Sequence, residues 1–497
     1  MGKGQPHLPN QHRPRHYRQF LWLLIAGLCL GVMILGRPFA AFSDDRLFIP
    51  LHPETNLQLS ESNSAALRVR PVRLNHQAIA PDVRVIRLNL FDDLQLTAEQ
   101  ERVDLSVTGG YVWVGQVREQ PGTVTLSLQD GVLTGSVELG GGRRLTINNL
   151  AGTMDDQYLI REIDPRAPEP NGPDTLLPSA PDGDAALEAS ENTCRDDGTV
   201  VDVLITYTVS AREAIGGTEA IESRINQLIS EMNTANNNSQ TSFDWRLAGA
   251  KEVPYVESGD ISTDLVNLQT PDNGLLDFVH VWRDETQADL VAMLVAEGNQ
   301  NRCGVAYQMT GAHEWFSEWA FGVVALDYPG VATCPQSILA HELGHMVGNA
   351  HDRANANLDG VYPYSHGYQS LGETSQFRDI MSYDCPDGCP RINHWANPAV
   401  FYLGEPTGVD FDTDPVHSAD LVRSMDQTRH LIANFRASCE DEPEPTDTPL
   451  PPPGTPTPLP TTDAPLPTAQ PSPTPISINT LPSPNTRHYF LPFAVRP

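Results

Sequence analysis

Basic charge is scarce in this 497-residue chain: 32 Lys and Arg stand against 63 Asp and Glu, a formal net charge of −31. Such an acidic surface repels nucleic acid and anionic membranes, so neither is expected as a partner, and the excess acid reads as a solvated exterior. The chain also lacks a second long apolar run. Residues 20–36 are continuously apolar and follow a polar, basic stretch holding Lys3, Arg13, Arg15 and Arg18. That order reads as an export signal over residues 1–43, cleaved after Ser43 or kept as a signal anchor, and leaves this segment as the one membrane contact expected. No acidic loop with calcium-ligand spacing is present, so Ca2+ stays open as a second metal without a motif behind it. Cysteine is missing from residues 44–165. Nothing in that stretch can therefore supply a thiolate to a metal.

What is present is concentrated between Ala340 and Arg353, where the chain reads His341-Glu342-Leu343-Gly344-His345-Met346-Val347-Gly348-Asn349-Ala350-His351-Asp352. On a helix, residues four apart share a face, so His341 and His345 can aim both imidazoles at one ion. Glu342 projects from the same turn toward the space where a water beside the metal would sit. Gly348 can adopt a positive φ at no steric cost, which lets the chain leave the helix and bring His351 back as third ligand. A structural zinc site is closed by four protein ligands; three neutral ligands and an adjacent carboxylate point instead to an open, hydrolytic Zn2+ site. The competing reading is an inactive metal-binding display or adhesion module. Glu342 argues against it, because a site that has lost its activity usually loses the base first. The histidines at 280, 313, 366, 394, 417 and 430 have no ligand spacing and read as structural or surface residues.

The extended motif resembles the metzincin clan of zinc endopeptidases, which also carries a methionine turn, here Asp379-Ile380-Met381-Ser382-Tyr383. The resemblance implies Met381 as an apolar floor under the imidazoles and Tyr383 as a group near the metal or the oxyanion. Tyr383 is similar to the astacin and serralysin pattern, whereas Asp352 after the third histidine resembles the reprolysin branch. Within that branch the chain looks most like the bacterial peptidyl-Asp metallopeptidases, over most of residues 83–436. The shared pieces are Tyr364-Ser365-His366-Gly367-Tyr368, Asn397-Pro398 and Gly404-Glu405-Pro406-Thr407-Gly408-Val409. The resemblance further implies that Gly304, Val305, Ala306 and Tyr307 form an edge strand holding a substrate antiparallel. It also implies an acidic residue after the scissile bond. Arg391 is the one Lys or Arg in the segment 383–397; it reads either as the partner of that acid or as a surface pair with Asp384 or Asp387.

These readings divide the chain in order. Residues 44–165, with short β-branched runs at 83–88, 111–114, 123–128 and 133–137 punctuated by glycine turns, read as an all-β, propeptide-like domain. A latch from it would be steric or a carboxylate such as Asp92 or Asp93. Residues 166–193 read as a flexible linker without a dibasic pair. Residues 194–439 read as the α/β (α+β) catalytic domain, a twisted mixed sheet with a zinc-binding helix. Its expected elements are strands at 200–208, 244–247, 290–296, 304–307 and 321–327 and helices at 210–236, 336–349 and 418–436, with the stripe Ala214, Ile221, Ile225, Leu228 and Met232 facing the core. Residues 440–485, with sixteen prolines, read as a disordered stalk, and 486–497 as a short apolar tail. Cys194, Cys303, Cys334, Cys385, Cys389 and Cys439 fall in one block of an exported chain and read as disulfides. Six cysteines allow fifteen pairings; the expected set is Cys303 with Cys334, Cys385 with Cys389, and Cys194 with Cys439. The whole is expected to be a secreted, monomeric zymogen of a zinc endopeptidase acting on polypeptides, extracellular or held at the cell surface.

Overall fold

The computed structural model describes residues 45–51, 65–150, 157–180, 195–327, 334–372 and 375–437. The export signal, the stalk and the tail lie outside them, as do Cys194 and Cys439. Among the described residues no helix is long and apolar enough to cross a membrane.

Nine strands make the N-terminal part: β1 (Phe48–Pro50), β2 (Ala66–Leu74), β3 (Val85–Phe91), β4 (Leu94–Leu105), β5 (Tyr111–Val117), β6 (Gly122–Gln129), β7 (Val132–Leu139), β8 (Arg143–Asn149) and β9 (Gln157–Ile163). All pairings are antiparallel, in the order β1-β2-β9-β8-β7-β6-β5-β4-β3. The sheet curls until its ends meet. Leu47 N donates to Arg87 O at 2.9 Å, and buried Asn89 exchanges bonds of 3.0 and 2.7 Å with the Phe48 backbone. Trp113, Phe48, Leu90, Leu126 and Ile147 fill the interior, which is what the alternating apolar pattern requires.

The second part is built on a mixed sheet in the order β10-β14-β15-β13-β11-β12, with β10 Thr175–Leu176, β11 Val200–Thr208, β12 Asp244–Val253, β13 Leu290–Glu297, β14 Gly304–Tyr307 and β15 Phe321–Asp327. Its central strands are almost wholly buried and run parallel, as their continuous apolar runs require. β14 alone pairs antiparallel with β15. The long helix expected at 210–236 is two helices, α1 (Val209–Ile215) and α2 (Thr218–Ser239), because Gly216 and Gly217 both take positive φ. α3 (Ile261–Gln269), unexpected although Ile261, Leu265 and Leu268 recur at helical spacing and are buried, and α4 (Asp277–Glu285) follow. α5 (Ile338–Met346) is shorter than expected, and α6 (Leu421–Ile432) ends the described chain's helices.

The apolar stripe of α2 enters the core of the second part, while its other face is buried against β5, β6 and β7. That other face is polar. Ser136 Oγ donates to Glu231 Oε1 (2.5 Å), Thr134 and Ser223 share a hydroxyl bond (3.0 Å), and Arg102 Nη2 reaches Ser230 O (3.0 Å) and Thr234 Oγ1 (2.9 Å). Residues 166–180, expected as flexible linker, lie instead as ordered chain along the cleft of the mixed sheet, where Thr175–Leu176 add a strand parallel to β14.

Candidate metal centre

α5 carries His341 and His345 on one face, and both imidazoles are buried. Gly344 between them leaves space: a Cβ there would meet Met381 Sδ at 2.5 Å. The helix ends at Met346, and Gly348 just beyond it takes a φ of 100°, where a side chain would also strike Val361. The turn this permits returns His351. Its carbonyl accepts a bond from His366 Nδ1 (3.0 Å), and His366 Nε2 pairs with Asp359 (2.9 Å). His366 thus fixes the backbone of the third histidine, a role that sequence spacing did not reveal.

The three Nε2 atoms form a triangle with sides of 3.2, 3.2 and 3.1 Å. His341 Nδ1 donates to Ile380 O (2.8 Å) and His345 Nδ1 to Asn349 O (3.0 Å), so the converging Nε2 atoms of both present lone pairs. Lone pairs facing one another in a buried space need a cation between them. Nitrogens bound to one tetrahedral Zn2+ at the usual 2.0–2.1 Å would lie about 3.3 Å apart. The residues therefore fit the metal. Burial and the two neighbouring imidazoles hold the His345 pKa well below its ordinary value, keeping the ring neutral as a ligand must be.

The fourth corner is taken by Asp174, whose carboxylate lies 3.0 Å from His351 Nε2 and 3.2 Å from His341 Nε2. These four residues form one buried group able to hold a metal ion. Burial would raise the Asp174 pKa, but the imidazoles of His351 and His341 prevail and hold it well below the usual carboxylate range. The carboxylates considered from sequence do not reach the site: Asp93 pairs with Arg68 on the barrel, and both Asp92 and Asp93 are exposed.

Glu342 is fully buried beside this corner, and neither carboxylate oxygen has a hydrogen-bond partner. Burial, reinforced by Asp174, raises its pKa well above the ordinary value. Its place under β14 depends on Gly304, where a Cβ would meet Glu342 Oε1 at 2.3 Å. Met381 is buried beneath α5, and Tyr383 lies against His351 with ring centroids 4.2 Å apart. The Tyr383 hydroxyl donates to Gly172 O (3.0 Å). Val305, Ala306 and Tyr307 are buried in β14; Ala306 N donates to Asp174 O (2.9 Å), and Tyr307 packs edge-on against Trp319. Arg391 is not a surface residue paired with Asp384 or Asp387: its side chain is 9% exposed and binds Glu169. The disulfides Cys303–Cys334 and Cys385–Cys389 are formed.

Comparison with known proteins agrees with this geometry. The metallo-peptidase family M12B, reprolysin-like, matches residues 198–408. A peptidyl-Asp metalloendopeptidase of Stenotrophomonas maltophilia is 30% identical over 69% of this chain and 81% of its own length. The chain belongs to this family of reprolysin-like metalloendopeptidases. Similar enzymes of the same name occur in Xanthomonas campestris pv. campestris, 28% identical over 77% of this chain and 89% of that one, and in Pseudomonas fragi, 43% identical over 20% and 57%. Family membership makes the metalloendopeptidase a peptide-bond hydrolase and implies zinc, and the buried group of three histidines and Asp174 could hold a metal ion. Sequence reasoning missed Asp174, Glu169 and Arg378 of this metalloendopeptidase, since neither helical spacing nor strand alternation marks them.

Proposed function

We propose that this chain is an exported zinc endopeptidase made as a latent precursor, with Glu342 as its general base and Asp174 as its latch. The observation that carries the reading is the Asp174 carboxylate at the fourth corner above the histidine triangle, in the position a water and a scissile carbonyl need. Zinc, when bound, supplies an activated water and polarises the carbonyl. The chain's own residues do the rest. Unpartnered Glu342 holds the proton taken from the attacking water and delivers it to the leaving amine. Once residues 172–174 leave, the Tyr383 hydroxyl loses the Gly172 carbonyl and is free to donate to the developing oxyanion.

Three features support latency. Asp174 fills the fourth corner, β10 covers the strand edge a substrate would use, and the barrel meets α2 through polar contacts that water can replace when it separates. The signal at residues 1–43 supports export into an oxidising compartment, with the two disulfides consistent with it. The name of the relatives supports a preference for acidic residues at the cleaved bond. The experiment is to compare the full chain before and after removal of residues up to 193 on one protein substrate. Equal activity of the two forms would reject latency, and activity surviving zinc removal confirmed by elemental analysis would reject the metal's role.

A further inference from the structure

Glu169 enters a pocket between two guanidinium groups. Arg391 Nε and Nη2 reach its Oε2 at 3.1 and 2.7 Å, and Arg378 Nη2 reaches the same oxygen at 3.0 Å. The Arg378 side chain is 2% exposed and that of Arg391 9%. We propose that Arg378 and Arg391 form the pocket that receives the acidic substrate side chain on the C-terminal side of the scissile bond, and that Glu169 is its resident occupant in the precursor. This deepens the endopeptidase reading above and rests on it.

The argument begins with chain direction. The segment 169–176 runs parallel to β14, with Asp174 O and Leu176 O accepting from Ala306 N and Gln308 N, both at 2.9 Å. Going backwards from Asp174, it passes Arg302, which donates to Pro173 O (2.9 Å), then Tyr383 at Gly172, and ends at the arginine pair. A substrate added antiparallel to β14 runs the other way. Its residues after the scissile bond therefore lie where 169–173 now lie, and the arginine pocket is on that side of the histidines. The pocket also adjoins the centre: Arg391 Nη1 and His341 Nδ1 both donate to Ile380 O.

Charge then says what the pocket wants. Asp384, from the catalytic part, pairs with Arg378 and also accepts from Glu169 N and Asn171 Nδ2, both at 3.1 Å. Glu169 is contributed by the covering segment. When that segment leaves, Asp384 is the one ion-pair partner left to the two buried guanidiniums among the described residues, with Asp352 and Asp379 near Arg378 but unpaired with it, and a desolvated cation short of a partner calls for an anion. Planar forks already aimed at a carboxylate supply it with parallel, charge-assisted bonds. Arg391 in particular keeps no salt-bridge partner among the described residues once Glu169 is withdrawn.

The test uses the full-length chain after activation, on matched peptides that differ only in Asp, Asn or Leu after the cleaved bond. The Asp-to-Asn ratio of kcat/KM is read on each preparation, so an inactive fraction cancels. Wild type should favour Asp at least about tenfold; Arg391→Met and Arg378→Met should bring the ratio toward one, and Arg391→Lys should keep part of it. Should the buried arginine variants fail to fold, a synthetic peptide spanning 168–176 is tested as an inhibitor of the wild-type enzyme. It should weaken at least about tenfold when its Glu169 is replaced by Gln. A wild-type preference for Asp that survives intact in folded Arg378 and Arg391 variants, or a Gln peptide as potent as its parent, overturns this pocket while leaving the endopeptidase reading in place. A wild-type enzyme that cleaves all peptides alike overturns the acidic preference as well, and one that cleaves none overturns both.

Discussion

Arg391 and His341 hydrogen-bond to the same carbonyl oxygen, that of Ile380. One backbone acceptor thus orients a metal-ligating imidazole and anchors a guanidinium that reaches outward to Glu169. Metal binding and the proposed recognition of acid share a support one residue from Met381. Damage to either arginine is therefore expected to be felt at the metal too, so ratios between substrates are more informative than absolute rates.

The latch predicts a gain of activity. Asp174→Asn in the full-length chain should raise peptide hydrolysis about tenfold or more over the unprocessed wild type, the scale of losing one charge-assisted contact. The check is the initial rate before any processing is visible by mass spectrometry. An unprocessed variant as silent as wild type would remove Asp174 as the latch.

Glu342→Gln in the activated enzyme should retain one zinc per chain by elemental analysis while losing about 10²–10⁴ in kcat. Substitution keeps the size of the side chain, so the space Gly304 provides is still filled. Undiminished turnover with zinc bound would take the proton transfers away from this residue.

Gly344→Ala should destabilise the folded chain by about 1–3 kcal/mol, because the added methyl overlaps Met381 Sδ. Thermal unfolding of the zinc-loaded protein reads the loss, and competition with a chelator should show weakened zinc binding as the floor shifts. Unaltered unfolding would mean that Met381 is free to move aside.

Acid should loosen the precursor. Burial alone would raise the Glu169 pKa, but Arg378 and Arg391 outweigh it and lower the value from 4.5 to about 2. A carboxyl depressed on docking strengthens docking fully above its ordinary pKa and loses that contribution as pH falls from about 4.5 toward 2. Hydrogen exchange across 167–176, corrected for intrinsic rates, should accelerate over that window in wild type. In Glu169→Gln the segment should exchange faster at neutral pH and lack this step; identical profiles would mean the ion pair does not hold the segment.

Much of the chemistry was local and hence legible from sequence. The spacing of His341 and His345, the glycine at 348 and the carboxylate at 342 are consequences of one helix and one turn. Strands β11, β13 and β15 matched their apolar runs for the same reason, since burial on both faces leaves a continuous pattern. The break at Gly216 and Gly217 was written in the sequence as well, but the long apolar stripe on either side concealed it.

Tertiary structure alone decided what occupies the site. Asp174 is 167 residues from His341 and Glu169 is 222 from Arg391, and each sits in a proline- and acid-rich stretch whose composition resembles a linker. Periodicity reports how a segment repeats against its own axis, and these residues repeat nothing. Their order comes from what they meet: a free strand edge, three converging imidazoles and two buried guanidiniums. For Arg391 the surface alternative stayed open because sequence shows its neighbours Asp384 and Asp387 but not the chain folded over it. The sequence determined the histidine set and the carboxylate beside it because those are properties of a helix and its exit turn. Only the folding of a distant segment across them decided that the site is covered, and by which carboxylates, because a contact's energy depends on distance in space and leaves no spacing in the chain.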